Sequence, residues 1–248
     1  MNISEAKIIV TGGGRGIGNY LAQNILAKAN KVFVLDNNAD LLSSIATTDK
    51  LITFKCDLTD SESVKTAIDG IYKEHGGANV LVNNAGVIHS ELMINLLSKE
   101  DKKHNLSNWK KVVDINLNAV FYVTSNVADN MVARKMSGVI INISSISAQG
   151  NVGQSAYSAT KAAVEALTKT WSKELGMFKI RSACIAPGFF ETPSTRESLS
   201  ENMLNKWQKS VPLARLGDLS ELLSAVEFII QNEYYNGKIL QLDGGLTI

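Results

Sequence analysis

The 248-residue chain is 45% apolar and carries 25 Lys and Arg against 24 Asp and Glu. The apolar fraction is too high for a disordered chain, and the balanced charge gives no basic field to hold nucleic acid or an anionic membrane surface. No apolar run reaches the roughly 18 residues of a membrane-spanning helix, no basic and apolar leader precedes the first strand-like run, and Cys56 and Cys184 sit in apolar runs that suit buried structural thiols; a cytosolic protein is expected.

The first apolar run, Lys7–Thr11, opens into Thr11-Gly12-Gly13-Gly14-Arg15-Gly16-Ile17-Gly18, followed by a helical pattern over Ile17–Lys28. A glycine-rich turn between a first strand and a first helix lets backbone approach a pyrophosphate, while the helix N-terminus adds N–H donors and partial positive charge. The spacing Gly12-x3-Gly16-x-Gly18 is one residue longer than G-x-G-x-x-G. It makes Gly12, Arg15, Gly16, Ile17 and Gly18 candidate dinucleotide-binding residues. The second run, Lys31–Asp36, ends in a carboxylate 18 residues beyond Gly18. Asp36 there can accept hydrogen bonds from ribose hydroxyls and would repel a 2′-phosphate, so NAD(H) is favoured over NADP(H). Arg15 argues the other way, because a guanidinium can pair with that phosphate.

The third run, Leu51–Cys56, leads to Asp57-Leu58, which suits either contact with the adenine amino group or a turn before the helical pattern Ser61–Glu74. After Val80–Asn83, the small residues of Asn83-Asn84-Ala85-Gly86 leave room for the adenosine ribose, and the amides can lock neighbouring strands. His89–Ser107 is polar and Lys-rich and reads as a solvated hairpin. A helical pattern covers Asn108–Arg134, and the run Val139–Ile143 ends in Ser144-Ser145. In the next helical pattern, Ala156–Leu175, Tyr157 and Lys161 lie one turn apart on one face. Ile180–Ile185 is followed by the loop-like stretch Pro187–Pro212, a helical pattern over Leu219–Gln231, and the last run, Lys238–Leu242. Runs this uniformly apolar suit strands buried on both faces. Their alternation with helices predicts a Rossmann-type doubly wound α/β fold: one domain over residues 1–248, a predominantly parallel seven-stranded sheet, and helices on both faces. His75, His89 and His104 lack metal-ligand spacing and read as surface residues, so no metal site is expected.

Taken together, the glycine turn, Asn83-Asn84-Ala85-Gly86, Asp114-Ile115-Asn116, Ser144-Ser145, Tyr157-x-x-x-Lys161 and Pro187-Gly188 resemble the short-chain dehydrogenase/reductases over the whole chain. The resemblance implies a catalytic set of Asn116, a strand-end serine, Tyr157 and Lys161. Tyr157 would exchange a proton with the carbonyl or alcohol, helped by the Lys161 ammonium, which also holds the nicotinamide ribose. Asn116 would position a water that links Lys161 to solvent. Many relatives carry the serine thirteen residues before the tyrosine, which gives Ser144; the strand register from Gly138 gives Ser145, which we prefer because only one of two successive strand residues can face the site.

The resemblance further implies that Asp57, Leu58, Asn84, Ala85, Gly86, Pro187, Gly188, Phe190 and Thr192 line the cofactor, and that residues 188–212 form a substrate lid. Within the family, Gly150-Asn151-Val152-Gly153-Gln154 and Val211-Pro212-Leu213-Ala214-Arg215-Leu216-Gly217 are similar to β-ketoacyl-thioester (3-oxoacyl) reductases. Asp36 departs from them, because the acyl-carrier-protein enzymes usually prefer NADPH. The 89–107 segment resembles the insertion of NAD-dependent 3-hydroxyacyl-CoA dehydrogenases, and Lys99, Lys102 and Lys103 could meet a CoA phosphate. An acyl-thioester or other small-molecule substrate and a homotetramer or homodimer are expected. A dehydrogenase of a small alcohol, sugar or steroid, and a dinucleotide-sensing scaffold, are the alternatives.

Overall fold

The computed structural model describes residues 1–98, 101–192 and 207–247. Its strands are β1 (Lys7–Thr11), β2 (Lys31–Asp36), β3 (Leu51–Lys55), β4 (Val80–Asn83), β5 (Gly138–Ile143), β6 (Ile180–Pro187) and β7 (Ile239–Leu242). The helices are α1 (Gly16–Ile25), α2 (Ala39–Ser43), α3 (Ser61–Glu74), α4 (Leu106–Val113), α5 (Ala119–Ala133), α6 (Ser155–Glu174) and α7 (Leu219–Gln231). The strands form one sheet in the order β3-β2-β1-β4-β5-β6-β7, and every neighbouring pair is parallel. The expected seven-stranded doubly wound sheet is therefore present.

Side-chain alternation explains why the strand sequences are largely apolar. In β1, Ile8 and Val10 pack with Leu21 and Ile25 of α1 and with Leu222 and Val226 of α7. Ile9 faces the opposite layer, with Ile68 and Ile71 of α3 and Val123 and Val127 of α5. Both faces are covered, so both sets are mostly apolar. The helix ends are set by local chemistry. Asp60 caps α3 by accepting from Glu62 N–H, and Asp218 with Glu221 forms a capping box on α7. The helix expected over Asn108–Arg134 begins at Leu106 and is interrupted by a π-helical turn over Asp114–Asn118. The five-residue α2 has no counterpart among the expected elements. Cys56 and Cys184 are buried free thiols.

The sheet order reverses between β1 and β4, so the loops leaving these two strands diverge to opposite faces. Such a switch point opens a crevice at the carboxyl ends of the strands, where ligands of this architecture bind.

Candidate active site

The β1–α1 turn is built around a close approach to β4. Gly12 has φ +62°, and a Cβ on it would stand 2.8 Å from Ala85 Cα. The Thr11 hydroxyl accepts from the Asn84 and Ala85 N–H groups, each at 3.1 Å, and Asn84 Nδ2 donates to Thr11 O at 3.0 Å and Gly12 O at 3.2 Å. The Asn84 side chain thus ties the two turns together, leaving the Ala85-Gly86 backbone to border the crevice. Unlike α3, α4 and α7, α1 has no side-chain cap at its N-terminal Arg15. Its first N–H groups, beside Gly16, Ile17 and Gly18, suit an anionic ligand. Gly16 has open space where a Cβ would lie.

Asp36 stands at the end of β2, facing this turn. Its Oδ2 accepts from Gly14 N–H at 2.9 Å and its Oδ1 from Asn38 N–H at 3.0 Å. The carboxylate is thereby fixed next to the glycines. Asp57 lies on the same sheet edge but closes a turn, with Oδ1 accepting from both the N–H (2.9 Å) and the hydroxyl (2.7 Å) of Thr59. Leu58 beside it is half-buried. The glycine cradle, the uncapped helix end and the fixed carboxylate together fit a dinucleotide.

Tyr157 and Lys161 occupy the first two turns of α6 and are both buried, at 8% and 4% exposure. Lys161 Nζ donates to Ile143 O at 2.7 Å and lies 5.7 Å from the Tyr157 ring centroid. Among the described residues no carboxylate is within ion-pair distance of it. Burial therefore acts almost alone and pulls the ammonium down to about 8. Burial pushes Tyr157 up, opposed by the neighbouring Ser145 hydroxyl, which favours the phenolate.

The two serines at the end of β5 point in different directions. Ser144 is buried and donates to Lys161 O at 3.2 Å and to Glu165 Oε1 at 3.0 Å, behind α6. Ser145 turns to Tyr157 and accepts from Ser147 N–H at 3.1 Å. Asn116 is fully buried in the π-helical turn. Its side chain is taken up by Val87, accepting from the N–H at 2.8 Å and donating to the C=O at 2.9 Å. Gly86 marks the middle of this group: a Cβ on it would stand 3.2 Å from Asn116 Oδ1 and 3.5 Å from Lys161 Nζ. Beneath the site, Asn83 Nδ2 donates to Thr124 Oγ1 and Asn142 Oδ1, and Asn142 Nδ2 donates to Thr168 Oγ1. This buried amide chain links β4, β5, α5 and α6, and so fixes the platform under the reacting groups.

Beyond β6, Gly188 N–H donates to Leu242 O at 2.9 Å, keeping the segment after Pro187 on the sheet edge. Phe190 is buried against Gly217, and Thr192 is buried. The Phe189 and Trp207 rings stack at 4.2 Å, joining the two ends of the stretch expected to act as a lid. Its middle, 193–206, lies outside the described residues, as does Lys99. Lys102 and Lys103 are exposed.

The histidines need a correction. Read as scattered surface residues, His89 and His104 in fact meet at Glu91, and the His104 side chain is only 7% exposed. The segment folds back on itself, so residues far apart in sequence become neighbours. No local spacing signals this.

Residues 6–203 match the family model described as short chain dehydrogenase. The chain belongs to the short-chain dehydrogenase family. Its sequence is 36% identical to the 3-oxoacyl-[acyl-carrier-protein] reductase of Chlamydia muridarum, with 96% of each chain covered. It is 33% identical to the sorbitol-6-phosphate 2-dehydrogenase of Klebsiella pneumoniae, covering 100% of this chain and 98% of that one. The aldohexose dehydrogenase of Thermoplasma acidophilum superposes with a TM-score of 0.86 at 30% identity, over 98% of this chain and 94% of that one. As a short-chain dehydrogenase the chain is an oxidoreductase that uses NAD(P). Among the described residues, no helix is long and apolar enough to cross a membrane.

Proposed function

We propose that the protein is an NAD(H)-dependent 3-oxoacyl-thioester reductase, a single catalytic domain in which residues 188–212 cover the substrate. The observation that carries the reaction is the cluster of Ser145, Tyr157, Lys161 and Asn116 beside the glycine turn. Similarity to 3-oxoacyl-[acyl-carrier-protein] reductases supports the substrate class. The Gly12–Gly18 turn and the α1 N-terminus would hold the pyrophosphate, Asp36 the adenosine ribose hydroxyls, Ala85 and Gly86 the adenosine side, Lys161 the nicotinamide ribose, and Thr192 the carboxamide. The nicotinamide supplies or accepts the hydride.

Tyr157 gives its phenolic proton to the carbonyl oxygen during reduction and takes it back from the alcohol during oxidation. The Ser145 hydroxyl hydrogen-bonds the same oxygen and stabilises the charge developing there. Lys161, its pKa lowered to about 8 by burial, would exchange a proton with solvent and, beside the nicotinamide, favour the phenolate electrostatically. Because the Asn116 amide is engaged with Val87, we assign the water of that relay to its backbone carbonyl. The π turn supports this assignment, since it breaks the regular carbonyl ladder at that point.

The cofactor preference rests on Asp36, whose carboxylate beside the glycine turn would repel a 2′-phosphate. A cytosolic setting and a homodimer or homotetramer complete the proposal. The test is oxidation of NADH and NADPH in parallel by purified protein with acetoacetyl-CoA, with a Tyr157→Phe control. NADH turnover well above NADPH turnover, lost in the control, is the expected result. A preference for NADPH would refute the Asp36 argument. The second reading is a sugar or sugar-phosphate dehydrogenase, favoured by the likeness to the Klebsiella and Thermoplasma proteins. Turnover of such polyols with the same catalytic residues, and none of the thioester, would establish it instead.

A further inference from the structure

Glu91 organises the segment between β4 and α4. Its backbone N–H bonds to Gly153 O, next to the start of α6. One carboxylate oxygen accepts from Asn105 N–H at 2.8 Å, and the other accepts from Asn108 Nδ2 at 3.1 Å. The carboxylate is therefore held from the α4 side and cannot swing freely. His89 Nε2 lies 2.9 Å from Glu91 Oε2, and His104 Nδ1 lies 3.7 Å from the same oxygen.

Protein groups serve only one nitrogen of the His104 ring. Nδ1 is 3.2 Å from Glu91 O, while Nε2 is buried with no hydrogen-bond partner. One ring nitrogen from each histidine and one carboxylate oxygen lie within 4.8 Å of one another. Ligand atoms about 2.0–2.1 Å from a tetrahedral ion stand roughly 3.3 Å apart. The two nitrogen–oxygen separations here, 2.9 Å from His89 Nε2 and 3.7 Å from His104 Nδ1, bracket that edge, and coordination through Nδ1 would replace its contact with Glu91 O.

We propose that His89, Glu91 and His104 bind a divalent transition-metal ion, with Zn2+ the best match to two imidazoles and one carboxylate. Asn108 and the Asn105 N–H orient the carboxylate ligand, as second-sphere donors do in metal centres. The ion closes the segment at its base: His89 follows the β4 turn, and His104 directly precedes the Asn105 cap of α4. Through the bond from Glu91 to Gly153, the same clip steadies the loop that leads into the Tyr157 helix. The role is structural, and the site lies outside the Ser145–Tyr157–Lys161 group.

Cobalt(II) titration of the full-length protein after dialysis against chelator tests this, read by the visible bands of the bound ion and their bleaching by Zn2+. Saturable one-to-one binding is expected, together with a rise in Tm on adding Zn2+ alone. Glu91→Gln and His89→Ala should abolish the bands, and Asn108→Ala should weaken binding by about 10–100-fold. The His89 side chain is 32% exposed, so its truncation leaves the core packing untouched and gives the deciding variant. If cobalt produces no saturable bands, or the bands persist unchanged in His89→Ala and Glu91→Gln, the proposal is overturned and Glu91 is simply an ion-pair partner of the two histidines.

Discussion

Replacing Lys161 by methionine isolates the cost of burying an ammonium ion without an acid beside it. Burial lowers the folded-state pKa of Lys161 from its ordinary 10.5 to about 8. Between those values the folded chain binds fewer protons than the unfolded chain, so stability rises with pH across the window. Shifting the pKa by about 2.5 units corresponds to about 3 kcal/mol of destabilisation when both states are protonated, and about 2 kcal/mol of it is relieved between pH 7 and 9.5. Tyr157 and Cys184 titrate in the opposite sense, because burial raises both, Cys184 to about 12, and the folded state keeps protons that the unfolded chain releases. Both groups remain in the variant, and loss of the small lowering of Cys184 by Lys161 leaves that thiol protonated in the folded chain at both pH values, so comparison with wild type largely cancels them. Urea unfolding of the ligand-free wild type and Lys161→Met at pH 7 and pH 9.5 gives the double difference. The wild type should gain about 2 kcal/mol on the variant as pH rises. A flat or falling difference would mean that Lys161 titrates normally, and the desolvation argument would fail along with its part in the proton relay.

Three further outcomes follow from the site. Ser145→Ala should lower kcat by about 10²–10³-fold, as loss of one donor to a developing oxyanion does. Ser144→Ala should cost about 1 kcal/mol of stability through its lost bonds to Lys161 O and Glu165, with kcat nearly intact; steady-state kinetics beside urea unfolding separates the two, and equal kcat losses would contradict the side-chain directions. Gly12→Ala should destabilise by more than about 2 kcal/mol, since alanine at φ +62° is strained by about 1–2 kcal/mol and its Cβ would meet Ala85 backbone; an unchanged Tm would show that the turn can relax. Leu106, Trp109 and Phe121 leave apolar surface exposed on α4 and α5, so light scattering at micromolar concentration should give a dimer or tetramer mass, and a monomer mass would remove the proposed assembly.

The framework was readable because its constraints are local. Strands buried on both faces read as near-continuous apolar runs, so Lys7–Thr11, Lys31–Asp36 and Val80–Asn83 stand out with their observed limits. The helices Ser61–Glu74 and Leu219–Gln231 also have their observed limits, set by caps at Asp60 and Asp218. By contrast, α2 is too short for a helical period to register, and the π turn inserts a single residue into a pattern that still averages like one long helix over Asn108–Arg134. The serine pair sits between these cases. Alternation along β5 says that only one hydroxyl can face the crevice, and the structure turns Ser145 to Tyr157 and Ser144 behind α6. Strand register points to Ser145 and distance from the tyrosine to Ser144, because backbone pairing holds a strand in place while a loop can lose a residue.

Long-range encounters were beyond a linear reading. The approach of His104 to Glu91 depends on how the segment after β4 folds back and on the Asn105 cap that anchors its return. Neither histidine carries a spacing that marks it, and a ring at the end of such a hairpin reads as solvated until the fold buries it. The same holds for Lys161. Its place one turn from Tyr157 is in the sequence, but its lowered pKa comes from a low-dielectric wall of strands and helices distant along the chain. The residue types that do chemistry are therefore legible, whereas the energies that tune them belong to the packed structure. Perturbation by pH, which reads those energies directly, is accordingly a sharper test of this site than substitution alone.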